Sequence, residues 1–155
     1  MTREFTRLIG LAPPRSRAEE KKTMRVKKST PVLFVEEIEP CVKFWTERLG
    51  FEKTAEVPDG DRLAFVILRK GSVEVMYETF AGAEKDFPAL AEAARKGPTF
   101  LYVEVEKLEP FIKALRGARI VLPERMTFYG AREIGVTDPA GHHIIFAEMG
   151  APPQG

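Results

Sequence analysis

The two histidines of the chain, His142 and His143, are the side chains whose type most directly offers chemistry, because imidazole binds metal ions and transfers protons near neutral pH. They are adjacent, and they follow the turn-forming run DPAG, Asp138 to Gly141. Adjacent side chains of a strand point to opposite faces, which is poor geometry for one shared ion. We therefore expect one of them at most in a site, and a solvated histidine after a turn is the alternative.

The single cysteine, Cys41, offers a nucleophile, but it lies in a helical pattern with no histidine near it in sequence. A thiol needs a neighbouring base or cation to become a reactive thiolate. We therefore interpret Cys41 as a small buried hydrophobic residue. One cysteine cannot form an internal disulfide, which fits a cytoplasmic location.

The composition is that of a globular chain of 155 residues, with 44% hydrophobic and 30% charged residues. The net charge of +1 gives no overall field that would attract nucleic acid. No apolar run approaches the roughly 20 residues that a membrane-spanning helix needs. We expect neither nucleic acid nor a membrane as a partner.

The charge is concentrated in the first 30 residues, which hold nine Lys and Arg against three Glu, a net charge of +6 that leaves −5 for the rest. This leader has little periodic apolar pattern, and we expect a basic, mobile segment over residues 1–29. Met24 is a possible alternative start of the protein. A regulatory role of the leader on an anionic partner, with binding that salt abolishes, is a third functional hypothesis.

The periodicity of the apolar residues predicts a strand, a helix and three strands in each half of the chain. In the first half these are PVLFV, a helix that begins within EEIEP, with Pro40 in its first turn, and ends at Gly50, then FEKTAEV, LAFVILR and SVEVMYE. In the second half they are TFLYVEV, a helix from Leu108 to about Leu115, then RIVL ended by Pro123, AREIGVTD and HHIIFAE. The alanine-rich run PALAEAARK predicts a helix between the halves.

The chain also repeats itself, because EEIEPCVKF from Glu36 and EKLEPFIKA from Glu106 match at an offset of 70 residues. Half a domain with one helix and four strands cannot bury both sheet faces alone, but two halves can. We predict a first module over 30–79, a helical bridge over 80–98, a second module over 99–149 and a tail over 150–155.

The doubled βαβββ pattern, with FWTERLGF ending the first helix and DPAG before the last strand, resembles the vicinal oxygen chelate superfamily of glyoxalases, bleomycin-resistance proteins and extradiol dioxygenases. The stretch YGAREIGVTDPAGHHIIFAE is most similar to the bleomycin-resistance branch. The resemblance implies an α+β fold in which two βαβββ modules form a cupped eight-stranded mixed sheet. It also implies helices outside the cup, a ligand inside it and a homodimer.

Enzymes of this family hold a divalent metal with four side chains, and the resemblance carries these positions onto Thr30, Glu74, Phe100 and Ile145. Only Glu74 can ligate in the family manner, because Phe100 and Ile145 have no donor atom. We therefore predict no catalytic metal and no cofactor. Glu74 among aromatic side chains would need a cationic partner or would have a raised pKa.

Strand alternation from these positions predicts an aromatic lining of the cup. The further inward positions are Val32, Met76, Glu104 and Ala147, and the predicted ligand-binding residues are Phe34, Phe65, Glu74, Phe100, Tyr102, Phe128, Tyr129, Arg132 and His143. Phe34 and Phe65 have a core position as the alternative. For Arg132 and Glu133 there are two alternatives: one of them holds a ligand, or the two form an ion pair at the rim of a dimer.

The leading functional hypothesis is a protein that sequesters a small aromatic or cationic compound by affinity alone. The alternative is a metal-dependent lyase or dioxygenase of the same superfamily, or an enzyme with Glu74 as a lone general base.

Overall fold

The computed structural model describes residues 12–19, 24–25, 27–86 and 88–150, without the side chain of Leu90. Most of the predicted leader and nearly all of the predicted tail lie outside these residues. Within the described part of the leader, Ser16 and Glu19 bond to each other's backbone N–H across one helical turn. None of the described helices is long and apolar enough to cross a membrane.

The first module is β1 (Val32–Val35), α1 (Glu39–Lys43) with a π-helical turn (Phe44–Arg48), β2 (Glu52–Asp59), β3 (Arg62–Lys70) and β4 (Val73–Thr79). The proline of the EP motif is accepted because it lies in the first turn of α1, where its missing N–H costs no helical hydrogen bond. Gly50 ends the helix with a positive φ of 70°. These strands form sheet 1 in the order β1-β4-β3-β2, with β1 and β4 parallel.

Two helices bridge the modules, α2 (Phe80–Asp86) and α3 (Pro88–Ala94). The second covers the first seven residues of the predicted alanine-rich run PALAEAARK. The first begins directly after β4, where the sequence shows no helical periodicity of its own.

The second module is β5 (Phe100–Val105), α4 (Glu109–Ala114), β6 (Arg119–Met126), β7 (Ala131–Thr137) and β8 (His143–Met149). These strands form sheet 2 in the order β5-β8-β7-β6, with β5 and β8 parallel. The predicted end of the sixth strand at Pro123 is wrong, because β6 continues to Met126. Pro123 lies in an edge strand between the paired residues Leu122 and Arg125, where the register shifts, and such irregular edges tolerate proline.

The α+β class and the two mixed βαβββ modules are therefore confirmed, with the eight strands in two four-stranded sheets. The helix-side faces of both sheets and the two EP helices contribute to one buried core. Its largest fully buried side chains include Trp45, Tyr77 and Phe146. The helices thus pack in the core that the modules share, whereas a single cup with helices outside was expected. We call the sheet face that points away from this core the open face.

A buried chain of hydrogen bonds joins the modules inside the core. The Trp45 indole N–H donates to the Tyr77 hydroxyl over 2.7 Å, and that hydroxyl donates to Asp138 over 2.6 Å. Trp45 belongs to FWTERLGF and Asp138 to DPAG, so Tyr77 of β4 connects the two motifs. Burial, followed by the charge of Asp138, raises the pKa of Tyr77 well above its ordinary value.

Candidate functional site on the open sheet faces

The open face of sheet 1 carries aromatic, aliphatic and carboxylate side chains. Phe34 on β1 and Phe65 on β3 are both paired with Glu78 on β4, and Ile67 is paired with Met76. Phe34 and Phe65 are half-buried, and Phe34 stacks on Phe80 at a ring-centroid distance of 6.4 Å. Both predicted ring positions therefore lie on this face and outside the buried core.

Glu74 lies on the same face, near the start of β4, and its partners come from the segment that precedes β1. Its carboxylate accepts a hydrogen bond from Lys28 Nζ at 2.8 Å and another from the Thr30 hydroxyl at 3.2 Å. The bond to Lys28 is the largest cause that lowers the pKa of Glu74. Of the two outcomes expected for this carboxylate, the cationic partner is the one observed. A carboxylate with a lowered pKa is a poor general base at neutral pH.

The open face of sheet 2 carries a row of exposed rings. Phe100 is paired with His143 and stacks on its imidazole at 4.8 Å, while Tyr102 is paired with Ile145. Phe100 is 69% exposed and Tyr102 is 51% exposed, which is unusual for large apolar side chains in a strand. Partial burial, then the Tyr129 hydroxyl and the charge of Glu133, raise the pKa of Tyr102 to about 12.

The adjacent histidines lie in different environments, as strand alternation predicts. His143 is on the open face of sheet 2, with Nδ1 at 3.2 Å from the Thr137 hydroxyl. His142 is buried, and its Nδ1 accepts the Thr99 N–H at 2.8 Å. Its Nε2 therefore carries the proton and donates to the Phe34 carbonyl at 2.8 Å, so His142 ties sheet 2 to β1.

The alternative ion pair between Arg132 and Glu133 is not observed, and sequence reasoning missed the burial of Glu133, which is only 1% exposed although it lies on the open face of sheet 2 opposite Ala147. Its carboxylate accepts two hydrogen-bonding contacts from the Arg125 guanidinium at 2.7 and 2.8 Å, and the Tyr129 hydroxyl lies at 3.4 Å. Strand alternation contains the signal, because Glu133 has the same parity as Ala131 and Gly135. The arginine partner comes from the neighbouring strand and has no local signal.

Arg132 is placed on the helix side of sheet 2 and not on its open face, because it is paired with Glu148 and Met126. Its guanidinium forms ion pairs with Glu124 and Glu109, and these two carboxylates raise its pKa. The predicted ligand-binding position is therefore not supported by the geometry. Phe128, by contrast, is fully exposed in the loop before β7, with its ring against Tyr129.

The candidate residues fall into two groups that one chain does not bring together. Among the described residues, no hydrogen bond, ion pair or ring contact joins an open-face side chain of sheet 1 to one of sheet 2. The reason is the shared core, from which both open faces point away. Two grooves of about 910 and 600 Å³ flank the DPAG turn instead, on the side of α1 and of the bridge.

The donor set does not fit the family metal. Glu74 lies on sheet 1, where its carboxylate accepts hydrogen bonds from Lys28 and from Thr30, while Phe100 and Ile145 lie on sheet 2 and have no donor atom. In the part of the chain that the structure describes, no three His, Cys, Asp or Glu side chains group as metal ligands. Cys41 is buried, and burial raises the pKa of its thiol, as expected for a residue of the core.

The comparisons with known proteins agree with this fold. Residues 29–146 match the model of the Glyoxalase/Bleomycin resistance protein/Dioxygenase superfamily. No curated protein matches the sequence significantly.

Similar solved structures include a glyoxalase/bleomycin resistance protein/dioxygenase from Nocardioides, with 18% identity, a TM-score of 0.63 and coverage of 89% of this chain and 96% of that chain. A bleomycin-binding protein from Streptomyces verticillus, complexed with copper(II)-bleomycin, has 22% identity, a TM-score of 0.57 and coverage of 83% and 100%. A lactoylglutathione lyase from Agrobacterium tumefaciens has 12% identity, a TM-score of 0.64 and coverage of 80% and 94%. At these identities the likeness concerns the fold. With the family match over most of its length, this chain belongs to the glyoxalase/bleomycin resistance protein/dioxygenase superfamily.

Proposed function

We propose that this protein binds and sequesters a small aromatic or cationic compound between open faces of its sheets, without a catalytic metal, in the manner of a bleomycin-resistance protein of the cytoplasm. The observation that carries the proposal is a group of exposed rings, namely Phe100 and Tyr102 on sheet 2 and the Phe128–Tyr129 pair in the loop before β7. Exposed rings form a surface for stacking against flat ligands. Their cost in solvation is offset only when something covers them.

The proposal includes a homodimer, because the described residues of one chain leave side chains of both open faces accessible. In this arrangement the open face of sheet 1 from one chain covers the open face of sheet 2 from its partner. Two-fold symmetry produces this pairing of sheet 1 with sheet 2 twice, so the dimer has two ligand sites. Each site then combines the carboxylates of sheet 1 with the rings of sheet 2.

Two facts support the proposal. The chain belongs to a superfamily that includes bleomycin-resistance proteins. At two of the positions that carry metal ligands in the enzymes of the family, this chain has Phe100 and Ile145, whose side chains have no donor atom. An enzyme with ligands at other positions is the competing function. Elemental analysis of the purified protein separates the two, because stoichiometric nickel, zinc, iron or manganese would contradict sequestration without a metal.

Replacing Phe100 and Tyr102 together by alanine tests the binding surface. We expect the double variant to bind aromatic compounds at least about tenfold more weakly, since each lost stack contributes about 0.5–1.5 kcal/mol beyond its buried area. The measurement is a thermal-shift screen of aromatic and cationic compounds, with and without divalent metals, followed by titration of the hits.

The matched control is Ile120→Ala, which removes exposed apolar surface from the same sheet on its helix side. We expect this variant to bind every hit as the unaltered protein does. Unchanged affinity of all hits for the double variant would remove the open face of sheet 2 from the site.

A further inference from the structure

Glu78 occupies a position on the open face of sheet 1 that the sequence did not single out. It lies on β4, and its Cα partners are Phe34 on β1 and Phe65 on β3. Directly opposite residues on neighbouring strands point to the same face with Cβ atoms about 5 Å apart, so the carboxylate has one ring on each side. All three side chains are half-buried, and a ligand on this face can reach each of them.

The carboxylate of Glu78 has no cationic partner among the described residues. Glu74, four residues earlier on the same face, has Lys28. Burial, and then the nearby charge of Asp86, raise the pKa of Glu78. The region between the two rings therefore has an uncompensated negative potential.

The ring cluster next to Glu78 already contacts a cation. Phe80 stacks on Phe34, and the Arg95 guanidinium lies over the Phe80 ring at 4.5 Å. Arg95 is also paired with Glu36 and Glu84, so its charge is engaged there and does not neutralise Glu78. A guanidinium on an aromatic face is thus an arrangement that this end of the sheet supports.

We propose that Glu78, flanked by Phe34 and Phe65, is a binding position for a flat organic cation such as an amidinium, a guanidinium or an aromatic ammonium. The inference rests on the proposed function and narrows its ligand class from aromatic or cationic to cationic. The carboxylate supplies charge-assisted hydrogen bonds, and the rings supply stacking and cation–π attraction. A neutral ligand of the same shape gains from the rings alone, and an anion is repelled.

Benzamidinium, benzamide and benzoate test this position, because they share one flat shape and differ in charge. Their dissociation constants are measured with the full chain at neutral pH by ligand-observed NMR titration. We expect benzamidinium to bind at least about tenfold more tightly than benzamide, since a hydrogen bond to a charged group contributes about 1.5–3 kcal/mol. We expect no binding of benzoate.

Glu78→Gln keeps the shape and removes the charge, so it is expected to abolish the preference for benzamidinium and to leave benzamide unchanged. Glu92→Gln, on the exposed side of α3, makes the same change in net charge and is expected to keep the preference. Phe65→Leu is expected to weaken both ligands together. Melting temperatures of all variants check that each one folds.

Equal binding of benzamidinium and benzamide to the unaltered protein, or an unchanged preference in Glu78→Gln, would overturn the cation site while leaving aromatic sequestration in place. No binding of benzamidinium at all would overturn it as well. Failure of the proposed function itself has a different mark, namely hits whose affinity does not depend on Phe100 and Tyr102.

Discussion

Two glutamates on one face of one strand differ in their electrostatic surroundings. Glu74 has Lys28 within 2.8 Å and a lowered pKa, while Glu78 has rings on both sides and a raised pKa. Met76 separates them, so all three side chains point to the open face. The contrast indicates that the partners around a carboxylate, here Lys28 from the segment before β1, decide whether its charge stabilises the folded chain.

The pH dependence of stability should therefore change in opposite directions when each glutamate is replaced by glutamine. The lowered pKa of Glu74 means that its ionised form stabilises the folded state above the unfolded pKa, and that this contribution is lost as the pH falls through the folded value. Glu74→Gln should lower the free energy of unfolding at pH 7, and this loss should be smaller at pH 3. Urea unfolding at the two pH values measures this.

The pH dependence that Glu78 contributes to stability has the opposite sign, because a raised pKa favours the protonated form in the folded state. Its stabilising contribution is present below the unfolded pKa and is lost as the pH rises through the folded value. Glu78→Gln should leave stability at pH 7 unchanged or raise it, by less than about 1 kcal/mol because the partly exposed group is screened by solvent. A lower free energy of unfolding at pH 7 would show that Glu78 has a stabilising partner.

For single residues, the sequence predicted on which face of the sheet a side chain lies, but it did not predict which residue that side chain contacts. Alternation placed Phe34, Phe100, Tyr102 and His143 correctly on open faces, because a strand has a fixed period of two. The same alternation implied Glu78, which shares its parity with Glu74 and Met76. Lys28 could not be predicted as the partner of Glu74, because it lies 46 residues away and no local pattern encodes that distance.

At the scale of the elements, the strands and the EP helices follow from local periodicity, and the main error is at Pro123. The strand continues past the proline because β6 is an edge strand with shifts of register on both sides of Leu122. Gly135 on β7 makes the close approach possible, since a Cβ there would lie 2.7 Å from Cβ of Leu122. A glycine that allows two strands to approach is visible only once the pairing is known.

Tyr77 connects α1, β4 and the DPAG turn, and its hydroxyl group is expected to stabilise this arrangement. Tyr77→Phe leaves the Trp45 N–H without its acceptor and takes one donor from the Asp138 carboxylate. We expect a loss of about 1–3 kcal/mol in the free energy of unfolding, because the groups left behind are buried. Urea unfolding at neutral pH gives the value.

The control is Tyr102→Phe, which removes a hydroxyl from a half-exposed ring and should change the free energy by less than about 0.5 kcal/mol. Equal effects of the two substitutions would mean that the buried chain of hydrogen bonds adds nothing to the contact between the modules.

At the scale of the whole molecule, the order of the elements does not determine how the modules are placed. Two βαβββ modules can bury their helix sides together or close their open faces on each other, and both arrangements contain the same strands and turns. The buried core with residues from both modules selects the first arrangement within this chain. If the proposed cup exists, its two halves would therefore come from different copies of the chain.

The oligomeric state tests this consequence. We expect light scattering on a sizing column to give about twice the 17.4 kDa of one chain. Phe100→Asp should reduce this mass toward that of one chain, because a charge on the open face of sheet 2 would be buried without a partner. Ile120→Asp, on the helix side of the same sheet, should leave the mass at twice that of one chain. A monomer at all concentrations would contradict the paired faces.

FWTERLGF and DPAG, the two motifs that carry the resemblance to the family, meet at Tyr77, whose side chain is buried on the helix side of sheet 1. The residues of these motifs thus contribute to the contact between the two modules. The side chains of the open faces take no part in this contact, so they can be exchanged while the fold is kept. The two motifs therefore predict the architecture of this chain, and the identity of the ligand that we propose has to be sought in residues outside them, such as Glu78.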